Sequence, residues 1–561
     1  MSQGARVVRE RTDRRGRSCP SSPVPAVESS GDPGGPTDPI AAGAGPGAGV
    51  SAATWVLVIG VTLGLGWLVA AREGNLAWDD ADYLRDGLRV ANMIRSAGLG
   101  RPDYALDVLL DVRPKPPWLV AWIAGGSLVT GVRSPVALIL FASVVPFAIL
   151  LIGVAATSRA LFGRRAAGFA TLVAVASPMA LSFGAKVMVE TFLSLWVLLA
   201  YYCAARLFDR PAKRPALALG AVLGCALLTK LTAALLLPIP ALGFLAVFCR
   251  RHGAGREAGR MLARVVGPLL LVALPWYAMN GRAAAEFARF SSRYNLVALG
   301  ESGGLPRSSR PLLLASELAG VPLLATLAVA GCAAVAGRRG RAVGGGSVAA
   351  RMFVGLSVVG AASGAVILLY PPYFDPRFLL PVWPALAVCL GPVLRDATAR
   401  RSRPGALATF ALLAASLFAS ADRVGREERS RTFWGVPGLI DHLVADHLVA
   451  NIYNVGSCRD WNVSKTGLMN ELRDRPGDCF VLHDLSGGTP DEIVRRLARA
   501  DAVVALDRGR VPAGWFGYGP KLNRGYFDAV IYLGMSPEFR RVESFPPDGL
   551  PPLLVFVRDR K

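Results

Sequence analysis

AATWVLVIGVTLGLGWLVAA, from Ala52 to Ala71, is an uninterrupted apolar run of 20 residues. About 20 apolar residues in a helix are enough to cross the hydrocarbon core of a bilayer. The preceding residues 1–50 are rich in Arg, Pro, Gly and Ser and have no apolar periodicity, so we expect a disordered cytoplasmic tail rather than a signal peptide. The run from Ala52 therefore predicts a first membrane span.

The composition of the 561-residue chain extends this prediction to a polytopic membrane protein. The chain is 53% hydrophobic and 18% charged, whereas a soluble domain carries about a quarter charged residues. Apolar runs predict about eleven spans in all. They cover residues 52–71, 134–158, 166–184, 191–207, 216–229, 231–248, 262–279, 311–336, 352–370, 378–394 and 405–421. The predicted fold is an all-α polytopic membrane domain over residues 51–421.

The chain has a net charge of +22, and the placement of its basic residues between the spans predicts their orientation. Basic clusters follow every second span, and cytoplasmic loops are the ones enriched in Lys and Arg, so the N-terminus is predicted to be cytoplasmic. The clusters are Arg159, Arg164, Arg165, Arg210, Lys213, Arg214, Arg250, Arg251, Arg256, Arg260, Arg338, Arg339, Arg341, Arg400, Arg401 and Arg403. We therefore expect a multi-pass protein of the cytoplasmic membrane. The chain lacks the stripe of basic and aromatic residues that nucleic-acid binders use, so no nucleic-acid partner is expected.

An odd number of spans places the tail, residues 422–561, outside the cytoplasm. "DCFVLHDL", "DAVVAL" and "PLLVFVRD" predict buried strands, and "TPDEIVRRLARA" predicts a helix, which together indicate a small extracytoplasmic α/β domain. Cys458 and Cys479 could form a disulfide only if the tail faces an oxidising compartment. His442 and His447 are five residues apart and point off different helix faces, so they are not predicted to be a ligand pair.

The first outer loop, residues 72–132, begins with two adjacent carboxylates. Asp79 and Asp80 open a run whose Leu84, Leu88, Ala91 and Ile94 share one helical face, which predicts a helix lying in the membrane interface. Either the two carboxylates cap this helix, or they act on a substrate held at the membrane surface.

Lysines and a further acid lie at the predicted outer ends of the spans. The chain has few lysines, yet Lys115, Lys186 and Lys230 lie where the positive-inside bias disfavours them. Either they snorkel to lipid headgroups, or they bind phosphate. Glu190 is four residues from Lys186, so the two could form a salt bridge on one helix face. Arg377, in a proline-stiffened turn beside Asp375, is a further outer cation.

Carboxylates and cations at one membrane face suit one class of reaction. A carboxylate can act as base on an acceptor hydroxyl while cations hold a departing phosphate. No histidine lies in the predicted outer loops between spans, and the chain has no Walker loop and no serine nucleophile motif. The pattern therefore favours a group-transfer reaction in which a phosphate is the leaving group and ATP is not used.

Six motifs in order resemble the polytopic class C glycosyltransferases, in the branch of the protein O-mannosyltransferases and the lipid A aminoarabinose transferase. They are WDDADYLRDG, RPKPPWLVAWI, KVMVETF, ALLTKLTAALLLPIPAL, LPWY and DPRFLLPVWPAL, within residues 52–395. The resemblance implies transfer, with inversion, of a sugar from polyprenyl phosphate outside the cytoplasm. The acceptor would be a lipid, a polysaccharide or a protein.

The resemblance also implies roles for individual residues. Asp79 matches the catalytically favoured member of the family's acidic pair, with Asp80 beside it, and Glu190 matches the second acidic position, which is usually Asp. Lys115 matches the lysine that binds the donor phosphate. Pro114 stands where some aminoarabinose transferases have a carboxylate of a metal site, so the metal is unknown and a divalent cation is left open.

The resulting hypothesis is a membrane glycosyltransferase. Asp79, Asp80 and Glu190 are its candidate catalytic residues, and its candidate substrate-binding residues are Tyr83, Lys115, Lys186, Lys230 and Arg377. One alternative is a transporter or flippase of lipid-linked sugars, which the lack of inverted repeats and of midplane charges disfavours. The other is a membrane-anchored scaffold whose C-terminal domain is the working part.

Overall fold

The computed structural model describes most of the predicted membrane domain and the strands of the C-terminal tail. It covers residues 51–71, 78–97, 115–131, 134–300, 309–320, 347–369, 376–399, 411, 413–422, 451–455, 481–484, 495–506, 526–542 and 553–559. The predicted N-terminal tail, Cys458, Cys479, His442 and His447 lie outside these ranges.

Helices make up the described part of the membrane domain. In chain order they are α1 Ala52–Ala71, α2 Trp78–Ala97, α3 Trp118–Thr130, α4 Pro135–Ile139, a π-helical segment Leu140–Val144, α5 Val145–Phe162, α6 Arg164–Val175, α7 Pro178–Gly184, α8 Val189–Asp209 and α9 Lys213–Thr229. They continue with α10 Ala233–Leu236, α11 Pro238–His252, α12 Arg256–Gly300, α13 Arg310–Ala319, α14 Val348–Leu369, a 3₁₀ helix Pro376–Val382, α15 Trp383–Ala399 and α16 Leu413–Asp422.

Seven helices of the described residues are long and apolar enough to cross a membrane, or eight if α6 and α7, bent by 78°, count as one broken span. The predicted multi-pass membrane fold is confirmed. The spans predicted at 311–336 and 405–421 are described only as the short helices α13 and α16. The span predicted at 216–229 is α9, a 17-residue helix packed against α8 and α12. The number eleven therefore stays a prediction.

Close contacts show which helix ends lie together. α9 and α12 run in the same direction, because Gly220 meets Val265 and the Tyr277 hydroxyl donates to the Leu227 carbonyl at 3.0 Å. α8 runs the opposite way, since Glu190 at its start contacts Lys230 just after the end of α9. The membrane domain thus has a Glu190 end and an opposite end, which we call the Arg210 end.

The Arg210 end collects the arginines that precede or follow the spans. Arg395 near the end of α15 donates to the Phe162 carbonyl at the end of α5, and Thr54 near the start of α1 lies beside Gly168 in the first half of α6. The basic residues at this end are Arg159, Arg164, Arg165, Arg206, Arg210, Lys213, Arg214, Arg250, Arg251, Arg256, Arg260 and Arg395. The positive-inside bias predicts that this end, where α1 begins, faces the cytoplasm.

The helix predicted to follow the first span is α2, and its predicted apolar face is confirmed. Leu84, Leu88, Ala91 and Ile94 are all buried. α2 packs along α3 in a parallel sense, with Gly87 against Ile123 and the Arg95 guanidinium donating to both oxygens of Ser127. Asn92 is also buried, and the Arg95 guanidinium donates to its side-chain oxygen at 3.2 Å.

The C-terminal tail contains a five-stranded mixed sheet of order β2-β1-β3-β5-β4. The strands are β1 Asn451–Val455, β2 Val481–Asp484, β3 Ala502–Leu506, β4 Phe539–Val542 and β5 Leu553–Arg558, with α17 Tyr526–Met535 before β4. β1 pairs in parallel with β2 and β3, whereas β5 runs antiparallel to β3 and β4. The three predicted strands are confirmed, and β1 and β4 were not predicted.

The contact of Gly87 with α3 gives a stability prediction. A Cβ at Gly87 would lie 2.5 Å from Ile123 Cγ2 and 3.3 Å from the Val120 carbonyl oxygen, whereas a Cβ at Gly125 would meet nothing within 4 Å. We expect Gly87→Ala to lower the free energy of unfolding by about 1–3 kcal/mol through overpacking. Gly125→Ala, the matched control, should be neutral or slightly stabilising. Thermal unfolding in detergent measures both, and equal midpoints would contradict the packing.

The orientation can be tested by cysteine labelling from outside the cell. In a background with the eight native cysteines replaced by serine, Ser134→Cys at the Glu190 end should react with a membrane-impermeant maleimide in intact cells. Ala254→Cys at the Arg210 end should react only after the membrane is permeabilised. Both positions are exposed, so the reverse pattern would show that the orientation is inverted.

Candidate active site

Lys115, in the segment before α3, contacts two residues near the start of α2. Its ammonium Nζ lies 3.1 Å from Asp82 Oδ2 and 4.7 Å from the centre of the Tyr83 ring. The other Asp82 oxygen contacts Arg85 at 3.1 Å. Lys115 and Asp82 are each 17% exposed in their side chains, so a ligand can still reach this pair.

Asp79 and Asp80 lie in the first turn of α2, one turn before Asp82 and Tyr83. Their side chains lie outside the described part of the structure. At a rise of about 1.5 Å per residue, the Asp79 backbone is about 4.5 Å along the axis from that of Asp82. Residues three and four apart lie on the same helix face, so the backbone of α2 places Asp79 on the face that holds Lys115.

Glu190 and Lys230 form a second cluster, between the start of α8 and the end of α9. Glu190 is 1% exposed, and its Oε1 lies 2.5 Å from Lys230 Nζ. The other carboxylate oxygen, Oε2, is buried and has no hydrogen-bond partner among the described residues. A buried carboxylate in an apolar surrounding is stable only when it is paired, so Lys230 is the residue that permits an acid here.

The 3₁₀ helix brings Arg377 and Phe378 to this pair. The ring centre of Phe378 lies 5.0 Å from Lys230 Nζ and 5.5 Å from the Arg377 guanidinium carbon. Ser194, one turn along α8, donates to the Glu190 carbonyl at 2.7 Å and to the Leu380 carbonyl at 3.4 Å. The buried Ser194 therefore joins the helix that carries Glu190 to the 3₁₀ helix that carries Arg377, while Lys230 reaches the cluster from the end of α9. Asp375, the predicted neighbour of Arg377, lies outside the described residues.

Lys186 is not the partner of Glu190, and the predicted helical pair is wrong. Residues 186–188 precede the first residue of α8, so Lys186 and Glu190 do not share a helix face. Lys186 Nζ instead contacts Ser182 Oγ at 3.0 Å and lies 5.7 Å from the Phe183 ring centre. Its place at the junction of α7 and α8 still puts it at the Glu190 end.

An aromatic contact places the Lys115 and Glu190 clusters at the same end. Trp118, three residues after Lys115, packs edge-on against Phe192 and Trp196, with ring centres 6.4 Å and 5.0 Å apart. Phe192 lies two residues after Glu190, so α3 and α8 begin at the same end. Every described candidate residue therefore lies at the Glu190 end.

Asp82, Arg85 and Phe378 are members of these clusters that the sequence prediction missed. Asp82 had a detectable signal, since Asp79, Asp82 and Asp86 follow helical spacing on one face of α2. Phe378 had no such signal in the sequence, because an aromatic residue next to an arginine is common in membrane proteins. No group of three or more His, Cys, Asp or Glu residues that could hold a metal ion occurs in the described residues.

The Glu190–Lys230 pair makes a stability prediction. Lys230→Met leaves a buried carboxylate without its counter-ion, so the free energy of unfolding should fall by about 3 kcal/mol. The double variant Glu190→Gln/Lys230→Met removes both charges and should unfold at a higher temperature than Lys230→Met alone. Lys213→Met, at the exposed start of α9, is the control and should leave the midpoint unchanged. A double variant less stable than Lys230→Met would contradict the pairing.

Comparison with known proteins identifies the fold around these clusters. Residues 114–277 match the family model described as dolichyl-phosphate-mannose-protein mannosyltransferase. No curated protein gives a significant match. Crystal structures of ArnT from Cupriavidus metallidurans, in the apo state and bound to undecaprenyl phosphate, align over 90% of this chain and 98% of theirs, with TM-scores of 0.57 and 0.56 and 16% sequence identity.

A further solved structure, the apo form of the Archaeoglobus fulgidus oligosaccharyltransferase, aligns with a TM-score of 0.47 and 10% identity over 80% of this chain and 69% of its own. The matched residues 114–277 include Lys115, Glu190 and Lys230, and they begin after Asp79 and Asp80. The resemblance predicted from the six sequence motifs is confirmed: the chain is a multi-pass membrane protein that is similar in fold to ArnT and, over residues 114–277, similar to the protein mannosyltransferase family model.

Proposed function

We propose that this protein is an integral membrane glycosyltransferase. It moves a sugar from a polyprenyl-phosphate donor to an acceptor hydroxyl on the outer face of the cytoplasmic membrane. The observation that carries the proposal is the contact of Lys115 with Asp82, one turn from Asp79. The contact supports the proposal because it puts a lysine that can bind phosphate one helical turn from an acid that can act as a base.

The two described clusters suit a single displacement at the anomeric carbon. Asp79 takes the proton of the acceptor hydroxyl as its oxygen bonds to the anomeric carbon, and Asp80 supports it. The bond from that carbon to the phosphate oxygen breaks, and polyprenyl phosphate leaves with the electron pair. One displacement from the face opposite the leaving group inverts the configuration at that carbon.

The cations of the Glu190 end stabilise the departing phosphate. Lys115, Lys186, Lys230 and Arg377 are cations at this end, and Tyr83 lines the Lys115 side. Charges in a partly enclosed site act through a lower effective dielectric than in water, so each contributes more to charge that develops in the transition state.

The comparisons support the class of donor. One ArnT structure of the same fold is bound to undecaprenyl phosphate, and the matched family model names dolichyl-phosphate-mannose. Both carriers are polyprenyl phosphates, which a membrane-end site with several cations suits. The acceptor hydroxyl belongs to a lipid, a polysaccharide or a protein.

Replacement of Asp79 tests the base. Asp79→Asn should lower sugar transfer by about 10²–10⁴-fold, because a positioned general base contributes about that factor. The control is Glu257→Gln, an exposed acid in the first turn of α12 at the Arg210 end. Transfer of radiolabelled sugar from polyprenyl phosphate by the purified protein measures both variants.

Two outcomes would contradict this function. If Asp79→Asn and Glu257→Gln behave alike, Asp79 only caps its helix, an effect of about 0.3–1 kcal/mol on stability. If the purified protein moves labelled lipid across a vesicle membrane without cleaving the sugar, it is a transporter.

A further inference from the structure

We infer that Glu190 is a positioning residue, which holds the Lys230 ammonium against the phosphate of the donor, and that it is not a second base. This inference rests on the proposed function, because it assigns a role to the Glu190–Lys230 cluster within the proposed active site. It follows from the contacts of Glu190 and from the surroundings of Lys230.

The Glu190 carboxylate is committed to Lys230. Its Oε1 lies 2.5 Å from Lys230 Nζ, and the residue is 1% exposed. A charge-assisted hydrogen bond to an ammonium uses the lone pair of Oε1 that a base would offer to a hydroxyl, and the other oxygen, Oε2, is buried. The Lys230 side chain, in contrast, is 21% exposed, so the lysine is the accessible member of the pair.

The Lys230 side chain needs a partner that holds its ammonium in one position. It directly follows Thr229, the last residue of α9, and a free lysine side chain carries about 2 kcal/mol of rotamer entropy. The Glu190 carboxylate on one side and the Phe378 ring on another restrict that freedom before any ligand binds. An ammonium placed in advance binds an anion without this ordering loss.

The backbone of Glu190 is held in a fixed position by a neighbouring element. Ser194 bridges the Glu190 carbonyl on α8 and the Leu380 carbonyl on the 3₁₀ helix that carries Arg377. Ser194 therefore fixes the turn of α8 whose carboxylate holds Lys230 in place.

A double-mutant cycle on ligand binding tests the inference. The probe is undecaprenyl phosphate, titrated into the full-length protein in phosphatidylcholine nanodiscs. Glu190→Gln and Lys230→Met should each raise Kd about tenfold, a loss of about 1.4 kcal/mol. The double variant should bind no more weakly than Lys230→Met, because Glu190 acts only through Lys230. Glu286→Gln, an exposed acid in α12, is the control and should bind as the wild type does.

Conservative replacement and kinetics separate positioning from proton transfer. Glu190→Asp keeps the carboxylate, so its Kd should lie between those of the wild type and Glu190→Gln, and this variant also serves if Glu190→Gln does not fold. In sugar transfer, Glu190→Gln should raise KM for the donor and leave the pH profile of kcat unchanged. A base acting through Oε2 would instead abolish kcat in Glu190→Gln with Kd unchanged, and that result overturns the inference.

Further outcomes distinguish this inference from the proposed function. Wild-type binding and transfer with unaltered Kd in Glu190→Gln would overturn the positioning role alone. Additive losses in the double variant would do the same, because they show that Glu190 and Lys230 act independently. A wild-type protein that neither binds undecaprenyl phosphate nor transfers sugar would overturn the proposed function, and the inference with it.

Discussion

A carboxylate buried among apolar helices must be paired, and in this protein the ion pair of Glu190 with Lys230 meets that requirement. The pair joins the start of α8 to the end of α9. Ser194 then ties the same turn of α8 to the 3₁₀ helix. Three chain segments that are distant in sequence are therefore fixed at one end of the membrane domain, and this arrangement brings Lys230 and Arg377 together.

The Lys115 cluster is built on a different principle. Lys115 and Asp82 are partly exposed, and they are held by the packing of α2 on α3 rather than by burial. Gly87 allows the two helix backbones to approach, and Arg95 links them again at Ser127. One cluster is thus a fixed anchor within the membrane domain, while the other is open to a ligand at its surface.

The two ends of the membrane domain differ in their charged residues, and this difference supports a single functional face at the Glu190 end. The Arg210 end carries a group of basic residues at its helix ends, which is the pattern that the positive-inside bias predicts for a cytoplasmic surface. The Glu190 end carries fewer charges, and most of its described ones contact one another or an aromatic ring. The lysines that lie against the positive-inside bias were informative in the sequence, because the proposed function gives them a role in binding the donor phosphate.

The sequence by itself determined the membrane class, the first span, the apolar face of α2 and three strands of the tail, because each depends on local hydrophobic periodicity. It also identified Lys115, Glu190, Lys230 and Arg377 as unusual charges for their positions. Only the tertiary structure decided the pairing. Sequence spacing favoured Lys186 as the partner of Glu190, but α8 begins at Val189, and Lys230 reaches the carboxylate from another helix. Such partners are chosen by helix packing, which local sequence does not encode.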